Sequence, residues 1–208
     1  MLNELLRRYP ALNDCREDIE NAVKAIINCY KNGGKLLICG NGGSSADSEH
    51  IVGELMKGFL KKRPLIEAKK AEMKANCPLV DDELLSKLQG SLPAIALSSF
   101  ASLNTAFCND VDPELIYAQT VFGLAKKEDV LLAISTSGNA KNVFQAVKVA
   151  KALGITVIGL TGATGGYLKE NCDICITAPE NETFKIQELH LPVYHYICAR
   201  VESEFFCE

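Results

Sequence analysis

A short stretch near the start of the chain combines residue types that could bind an anion with residue types that could move a proton. The apolar run 35–39 leads into a glycine-rich sequence at 40–44, Gly-Asn-Gly-Gly-Ser. Backbone N–H groups and serine hydroxyls at the start of a helix form an anion-binding site. His50 and Glu54 follow at i and i+4, which puts both on one helix face, where they can address one metal ion or one reacting carbon. The stretch therefore predicts a phosphate site and proton-transfer chemistry within about two helical turns of each other.

A second loop carries three consecutive hydroxyl side chains. The apolar run 130–134 is followed by Ser135, Thr136 and Ser137, and then by Gly-Asn. One serine or threonine is enough to cap a helix, whereas three hydroxyls with free N–H groups can surround the oxygens of a phosphate without any lysine or arginine. This loop therefore predicts phosphate binding. It is not a Walker A loop, because no Gly-Lys-Ser/Thr follows, and the first loop, with Gly40, Gly42 and Gly43, lacks the glycine spacing of a dinucleotide fingerprint.

The chain has three histidines, His50, His190 and His195, and all three fall in the two segments expected to build the site. A lone helical histidine is usually structural, but this coincidence favours a functional role for His50 and His195. His190 is expected to be structural or to support the site from behind. Gln187 lies eight residues before His195, so the two lie on nearly one helix face. Its neighbour Glu188 is expected to form a salt bridge or a cap.

Composition narrows the class of protein. With 208 residues, 48% of them hydrophobic and 23% charged, the chain is expected to form a single domain with a full core. A net charge of −4 provides no basic surface for nucleic acid or an anionic membrane, and no apolar run is long enough to span a bilayer. The nine cysteines mostly lie singly in apolar segments, and the CxxC pair Cys172 and Cys175 has no second pair. We expect structural free thiols in a reducing cytoplasm.

Apolar runs alternate with helical patterns along most of the chain. This alternation predicts an α/β fold, a flavodoxin-like three-layer sandwich in which a five-stranded parallel sheet lies between helices. Long helices are predicted near each end, at 15–30 and 184–204. The predicted strands are residues 35–39, 93–97, 130–134, 156–160 and 174–177.

The segment 60–89 interrupts this alternation. It is rich in lysine and predicts helices at 67–74 and 81–87, separated by Cys77-Pro78. Two interpretations remain open: a solvated excursion on the surface, and a lid or oligomer contact.

These motifs resemble the sugar isomerase (SIS) domain family over nearly the whole chain, apart from an inserted helical segment at about 65–91. The sequences Cys-Gly-Asn-Gly-Gly-Ser at 39–44 and Ile-Ser-Thr-Ser-Gly-Asn at 134–139 resemble the two loops of SIS domains in general. Further residues make the chain similar to the phosphoheptose isomerase branch, whose enzymes interconvert sedoheptulose 7-phosphate and D-glycero-D-manno-heptose 7-phosphate. They are His50, Glu54, Asn109, Asp110, Gln187 and His195.

The resemblance implies a role for each matching residue. Contacts to the sugar phosphate would come from Asn41, Gly42, Gly43, Ser44, Asn109, Asp110, Ser135, Thr136, Ser137 and Gln187. A zinc ion would be held by His50, Glu54, Gln187 and His195, a mixed nitrogen and oxygen set that suits this metal. Glu54 and His195 would be the acid–base pair of an enediol mechanism. The resemblance also implies a homotetramer with active sites at subunit interfaces. The alternative for the four ligands is that no metal binds and they act through hydrogen bonds.

Some positions depart from the family pattern. Ala140 stands where the family commonly has a further serine, the basic residue after Glu54 is displaced to Lys57, and the segment at about 65–91 is inserted. These departures leave two other functions open, an isomerase of another phosphosugar and a non-catalytic phosphosugar-binding protein of the kind that associates with the DnaA initiator. That last relative lacks the counterparts of Glu54 and His195, so their presence favours an enzyme.

Overall fold

A computed structural model describes residues 1–206, and within them five parallel strands form one sheet. The strands are β1 (Leu36–Cys39), β2 (Ala94–Ala96), β3 (Val130–Ile134), β4 (Thr156–Thr161) and β5 (Ile174–Thr177). Their order across the sheet is β2-β1-β3-β4-β5. All five strands were predicted within about two residues, because each is a buried apolar run bounded by turn residues.

Ten α-helices connect and cover these strands, joined by short 3-10 turns. They are α1 (Leu2–Arg8), α2 (Arg16–Lys31), α3 (Gly43–Met56), α4 (Glu67–Asn76), α5 (Asp82–Lys87), α6 (Ala101–Asp110), α7 (Ile116–Leu124), α8 (Lys141–Ala152), α9 (Gly166–Asn171) and α10 (Thr183–Phe205). The predicted three-layer α/β fold is confirmed. None of these helices in residues 1–206 has the length and apolar character needed to cross a membrane.

The sheet has a hydrophobic core on each face. Leu36 and Ile38 of β1 point into the core formed with α2, α3 and α10, whereas Leu37 and Cys39 point into the core formed with α7, α8 and α9. Alternate residues of a strand point to opposite faces, which explains why every residue of β1 is buried. The long helix α10 therefore packs beside α3 on one face of the sheet.

The segment at about 65–91 forms an excursion with a closed base. Pro64 and Gln89 pair as an isolated antiparallel bridge, and the Gly90 N–H donates to the Arg63 carbonyl at 2.7 Å. Both predicted helices are present as α4 and α5, and Leu85 is their single buried residue. Within one chain the segment is thus a surface excursion.

The described cysteines are free thiols, as predicted. Burial raises the pKa of Cys29 to about 12 and that of Cys172 to about 12, so neither is poised as a thiolate. The sulfurs of Cys172 and Cys175 both face Gly159, where a Cβ would meet each of them at 3.1 Å. The CxxC pair therefore packs against β4 as small apolar side chains.

Candidate active site

The glycine-rich loop turns the chain sharply from β1 into α3. Gly42 has φ +55°, a backbone conformation that favours glycine, and it precedes the first residue of α3. No side chain caps this helix, although serines stand at its start. The N–H groups of Ser44 and Ser45 donate to the Asn41 and Gly42 carbonyls, both at 3.0 Å, so α3 offers an anion chiefly the positive end of its dipole at the C-terminal edge of the sheet.

The serine loop leaves the hydroxyl protons of Ser135, Thr136 and Ser137 without an acceptor among residues 1–206. Ser135 Oγ and Ser137 Oγ instead accept backbone N–H groups at 3.4 and 3.2 Å. Helix α8, which follows, also begins without a side-chain cap. Gly138 closes the turn with φ +68°, and a Cβ there would lie 1.9 Å from the carbonyl oxygen of Gly165, so only glycine fits.

The two loops lie side by side because β1 and β3 are neighbours in the sheet. The Asn41 and Asn142 side-chain amides bond to each other in both directions, at 2.8 and 3.0 Å. The Tyr117 hydroxyl donates to the Gly40 carbonyl at 2.6 Å. In parallel sheets, ligands bind where neighbouring strands send their connections to opposite faces. The β1 loop leads into α3 on one face and the β3 loop leads into α8 on the other, so the candidate anion cradle lies at this point.

A cleft of about 140 Å³ extends from the serine loop along the same edge of the sheet. Thr136 and Ser137 line it together with the loops that follow β4 and β5. This cleft offers hydroxyls and the carboxylate of Glu180, a lining that suits a hydroxylated ligand beside the cradle.

A second group of polar side chains lies two to three turns further along α3. His50 Nε2 is 3.2 Å from Glu54 Oε1 and 3.5 Å from His195 Nε2 of α10. Lys57 Nζ is 3.3 Å from Glu54 Oε2. Burial and the nearby His50 lower the pKa of His195, and Glu54 opposes that shift. Three of the residues predicted to do chemistry are therefore brought together by α3 and α10.

Two residues that the sequence analysis missed position the His50 imidazole from its Nδ1 side. The Tyr194 hydroxyl lies 3.0 Å from His50 Nδ1 and donates to Asp47 Oδ1 at 3.2 Å. The contact of Tyr194 with Nδ1 fixes the orientation of the imidazole, so that Nε2 of His50 is directed at Glu54 and His195. The i, i+3 spacing places Asp47 and His50 on one helix face, whereas nothing local indicated Tyr194.

The remaining predicted residues lie elsewhere in the single chain. Gln187 packs against the glycine-rich loop, where a Cβ on Gly43 would come within 2.3 Å of its Nε2. Asn109 and Asp110 end the exposed helix α6 and bond to each other at 2.8 Å. Glu188 is exposed and forms no ion pair within residues 1–206, so the expected salt bridge or cap is wrong. The charged side chain of Glu188 is instead exposed to solvent.

His190 is a buried structural residue. It has no exposed surface, and its Nε2 donates to the Thr161 carbonyl at 3.1 Å, while Nδ1 has no partner among residues 1–206. Burial lowers its pKa to about 4, with the hydrogen bond opposing the shift. This buried environment supports the structural role of the two that were expected for His190.

The four predicted zinc ligands do not converge within one chain. Among residues 1–206, no three or more His, Cys, Asp or Glu side chains are arranged to hold a metal ion. His50, Glu54 and His195 are in contact, but Gln187 lies eight residues before His195, which is about 12 Å along α10. Ligands of one zinc ion lie only about 2 Å from it. The donor types suit zinc, but the single-chain geometry does not form a site for it.

Comparison with known proteins agrees with the motifs. Two family models, each described as SIS domain, match residues 92–196 and 3–90. The phosphoheptose isomerase of Nitratiruptor sp. is 40% identical over 192 residues, which cover 92% of this chain and 89% of that protein. Phosphoheptose isomerase 2 of Campylobacter jejuni is 40% identical over 188 residues, covering 90% of this chain and 81% of that protein.

A solved structure has the same fold over nearly its whole length. The phosphoheptose isomerase of Neisseria gonorrhoeae superimposes with a TM-score of 0.76 at 31% identity, covering 97% of this chain and 94% of that one.

Proposed function

This chain belongs to the phosphoheptose isomerase branch of the SIS domain family, and on that premise we propose that it is an aldose–ketose isomerase of phosphorylated sugars. The proposed substrate pair is sedoheptulose 7-phosphate and D-glycero-D-manno-heptose 7-phosphate. One observation carries the proposal: His195 of α10 reaches the His50–Glu54 pair of α3, the helix that begins at the anion cradle. Acid–base groups and an oxyanion site are what this reaction class requires.

The proposed reaction moves one proton between adjacent carbons. The carboxylate of Glu54 removes a proton from the carbon next to the carbonyl, and His195 gives a proton to the carbonyl oxygen, which forms an enediol. Glu54 then returns its proton to the neighbouring carbon while His195 takes the proton from the other oxygen, which leaves the isomeric carbonyl. Lys57 and His50 contact the two oxygens of Glu54 and orient the carboxylate.

The serine and glycine loops would bind the distant phosphate. Three unused hydroxyl protons supply donors for its oxygens, and the positive ends of the α3 and α8 dipoles favour its charge. Binding energy from this remote group holds the reacting carbons in place.

The proposed assembly is a homotetramer in which one active site draws on more than one chain. Glu54 lies eleven residues after Gly43, about 16 Å along α3, whereas carbonyl and phosphorus in an extended heptose phosphate are only about 9 Å apart. This separation along α3 favours an active site in which the cradle and the acid–base pair come from different chains. Exposed apolar side chains on the face carrying α6 and α7, such as Leu103 and Phe122, provide surface for contact between subunits.

Zinc binding remains part of the proposal for the assembled enzyme. The residues that would hold the ion are His50, Glu54, Gln187 and His195, and bound zinc would polarise a carbonyl oxygen. No step of the proposed reaction passes through this ion, because the four donors do not meet in one chain. Metal analysis of the purified protein, with His50→Ala as the matched variant, tests this part: zinc bound to the parent and absent from the variant supports it.

An isomerase assay with sedoheptulose 7-phosphate, with and without a chelator, tests the function. Appearance of the aldose supports the proposal. No product from this or other phosphosugars, together with measurable phosphosugar binding, would instead indicate the non-catalytic alternative. Turnover of a different phosphosugar would keep the reaction type and correct the substrate.

A further inference from the structure

The last turn of α3, which carries Glu54, is closed by a side chain. A helix leaves its last four carbonyls without partners inside the helix. Arg63 Nη1 donates to the Leu55 carbonyl at 2.6 Å, and Arg63 Nη2 donates to the Glu54 carbonyl at 3.1 Å. The Leu92 N–H also donates to the Leu55 carbonyl at 3.1 Å. The backbone of Glu54 is therefore held directly by the Arg63 guanidinium.

Glu202 of α10 holds Arg63 in turn. Arg63 Nε donates to Glu202 Oε1 at 2.8 Å, and both side chains are fully buried. The two Glu202 oxygens also accept three consecutive backbone N–H groups at 2.8, 2.8 and 3.2 Å, those of Phe59, Leu60 and Lys61. One carboxylate thus joins α10 to the segment that leaves α3.

These contacts connect the two helices that carry the candidate acid–base pair. Glu202 lies seven residues, about two turns, after His195 on the same helix. Phe59, whose N–H is held by Glu202, has its ring centroid 5.5 Å from that of His195. Arg63, the partner of Glu202, binds the Glu54 carbonyl of α3. A displacement of either charged side chain would therefore change the separation of Glu54 from His195.

Stability alone does not account for such a pair. Taking two charges out of water is costly, and well-packed apolar side chains often stabilise a core as well as a buried ion pair does. Apolar side chains could not donate to the Glu54 carbonyl or accept the N–H groups of residues 59–61. The planar guanidinium offers several donors in a fixed fork, so it can reach two carbonyls and a carboxylate at once, which a lysine ammonium cannot match.

We propose that Arg63 and Glu202 are positioning residues that fix the Glu54 carboxylate relative to His195. This inference rests on the proposed isomerase function. Neither residue touches the reacting atoms, so their loss is expected to lower kcat while leaving KM nearly unchanged.

Arg63→Lys and Glu202→Gln test the proposal, because each keeps the size of the side chain and alters the contacts. We expect kcat to fall about 10- to 100-fold for folded enzyme, since small misplacements of reacting groups cost that much, with KM within about twofold of the parent. The double variant Arg63→Met with Glu202→Leu avoids a lone buried charge and serves if a single variant fails to fold.

The matched control is Asp129→Asn. Asp129 is also buried and ion-paired, with Lys35 at 2.6 Å, but it lies at the start of β3. We expect this variant to lose stability and keep its kcat. An equal fall in kcat for the control, or kcat within twofold of the parent in the folded Arg63 and Glu202 variants, would overturn the proposal.

Crystal structures of the parent and of Arg63→Lys provide a readout that needs no substrate. A Glu54 carboxylate displaced from His195 in the variant supports positioning, and an unchanged separation of these two side chains contradicts it. If the parent itself shows no isomerase activity, the proposed function fails, and this structural comparison still decides whether the pair positions Glu54.

Discussion

The imidazoles of His50 and His195 lie 3.5 Å apart, Nε2 to Nε2, although 145 residues separate them in the sequence. Glu54 lies 3.2 Å from the same His50 nitrogen. The two helices that supply these side chains run alongside each other on one face of the sheet, so the candidate chemistry depends on how α10 packs against α3.

Glu54→Gln and His195→Ala are each expected to lower kcat by about 10² to 10⁴, the range that general acid–base catalysis contributes. Both residues are only partly buried, so the variants should fold, as circular dichroism can verify. Glu49→Gln, at an exposed position of the same helix, is the matched control and should keep the parent kcat. Full activity in either active-site variant would end the acid–base assignment.

Ser137→Ala is expected to weaken binding of the substrate phosphate. A hydrogen bond to a charged group contributes about 1.5–3 kcal/mol, so kcat/KM should fall between about 10- and 150-fold. Steady-state kinetics and titration with inorganic phosphate measure the effect. Ser86→Ala, on the exposed face of α5, should change neither. Equal phosphate affinity in parent and Ser137→Ala would contradict a phosphate role for this hydroxyl.

His190 is expected to make the fold less stable in acid. Its folded pKa is lowered to about 4 from 6.5, so the unfolded chain takes up a proton first as the pH falls. The stabilisation is complete above about pH 6.5 and is lost progressively between pH 6.5 and 4, by roughly 3 kcal/mol in total. Denaturant unfolding across this range measures the slope, and His190→Gln should flatten it. An NMR titration placing the His190 pKa near 6.5 would refute this expectation.

Excision of residues 66–87, with a short linker joining the ends, is expected to leave the fold and kcat intact. The excursion buries only Leu85 among its helical residues, and its base is already closed by the Pro64–Gln89 bridge. The loss of one buried leucine should lower Tm by roughly 5–10 °C. Calorimetry, kinetics and light scattering test this. A lost tetramer or a collapsed kcat would show that the segment is an oligomer contact or a lid.

Local patterns were sufficient to predict the sheet, the long helices and both loops. Strands such as Val130–Ile134 are apolar runs between turn residues, and both of these signals lie within a few residues of each other in the sequence. The three consecutive hydroxyls at 135–137 exceed what a helix cap needs for the same local reason, and α8 begins without a side-chain cap. The i, i+4 spacing also put His50 and Glu54 on one helix face, as the 3.2 Å contact confirms.

The tertiary structure alone decided which distant side chains meet. Helix periodicity predicts that Gln187 and His195 point in similar directions. It does not predict that Gln187 contacts the glycine-rich loop while His195, about 12 Å further along α10, contacts His50. The contacts of Tyr194 with His50 and of Arg63 with Glu202 likewise have no local signal. Periodicity reports only the side of a helix that is buried, whereas the partner on that side is chosen by the packing of whole elements around the sheet.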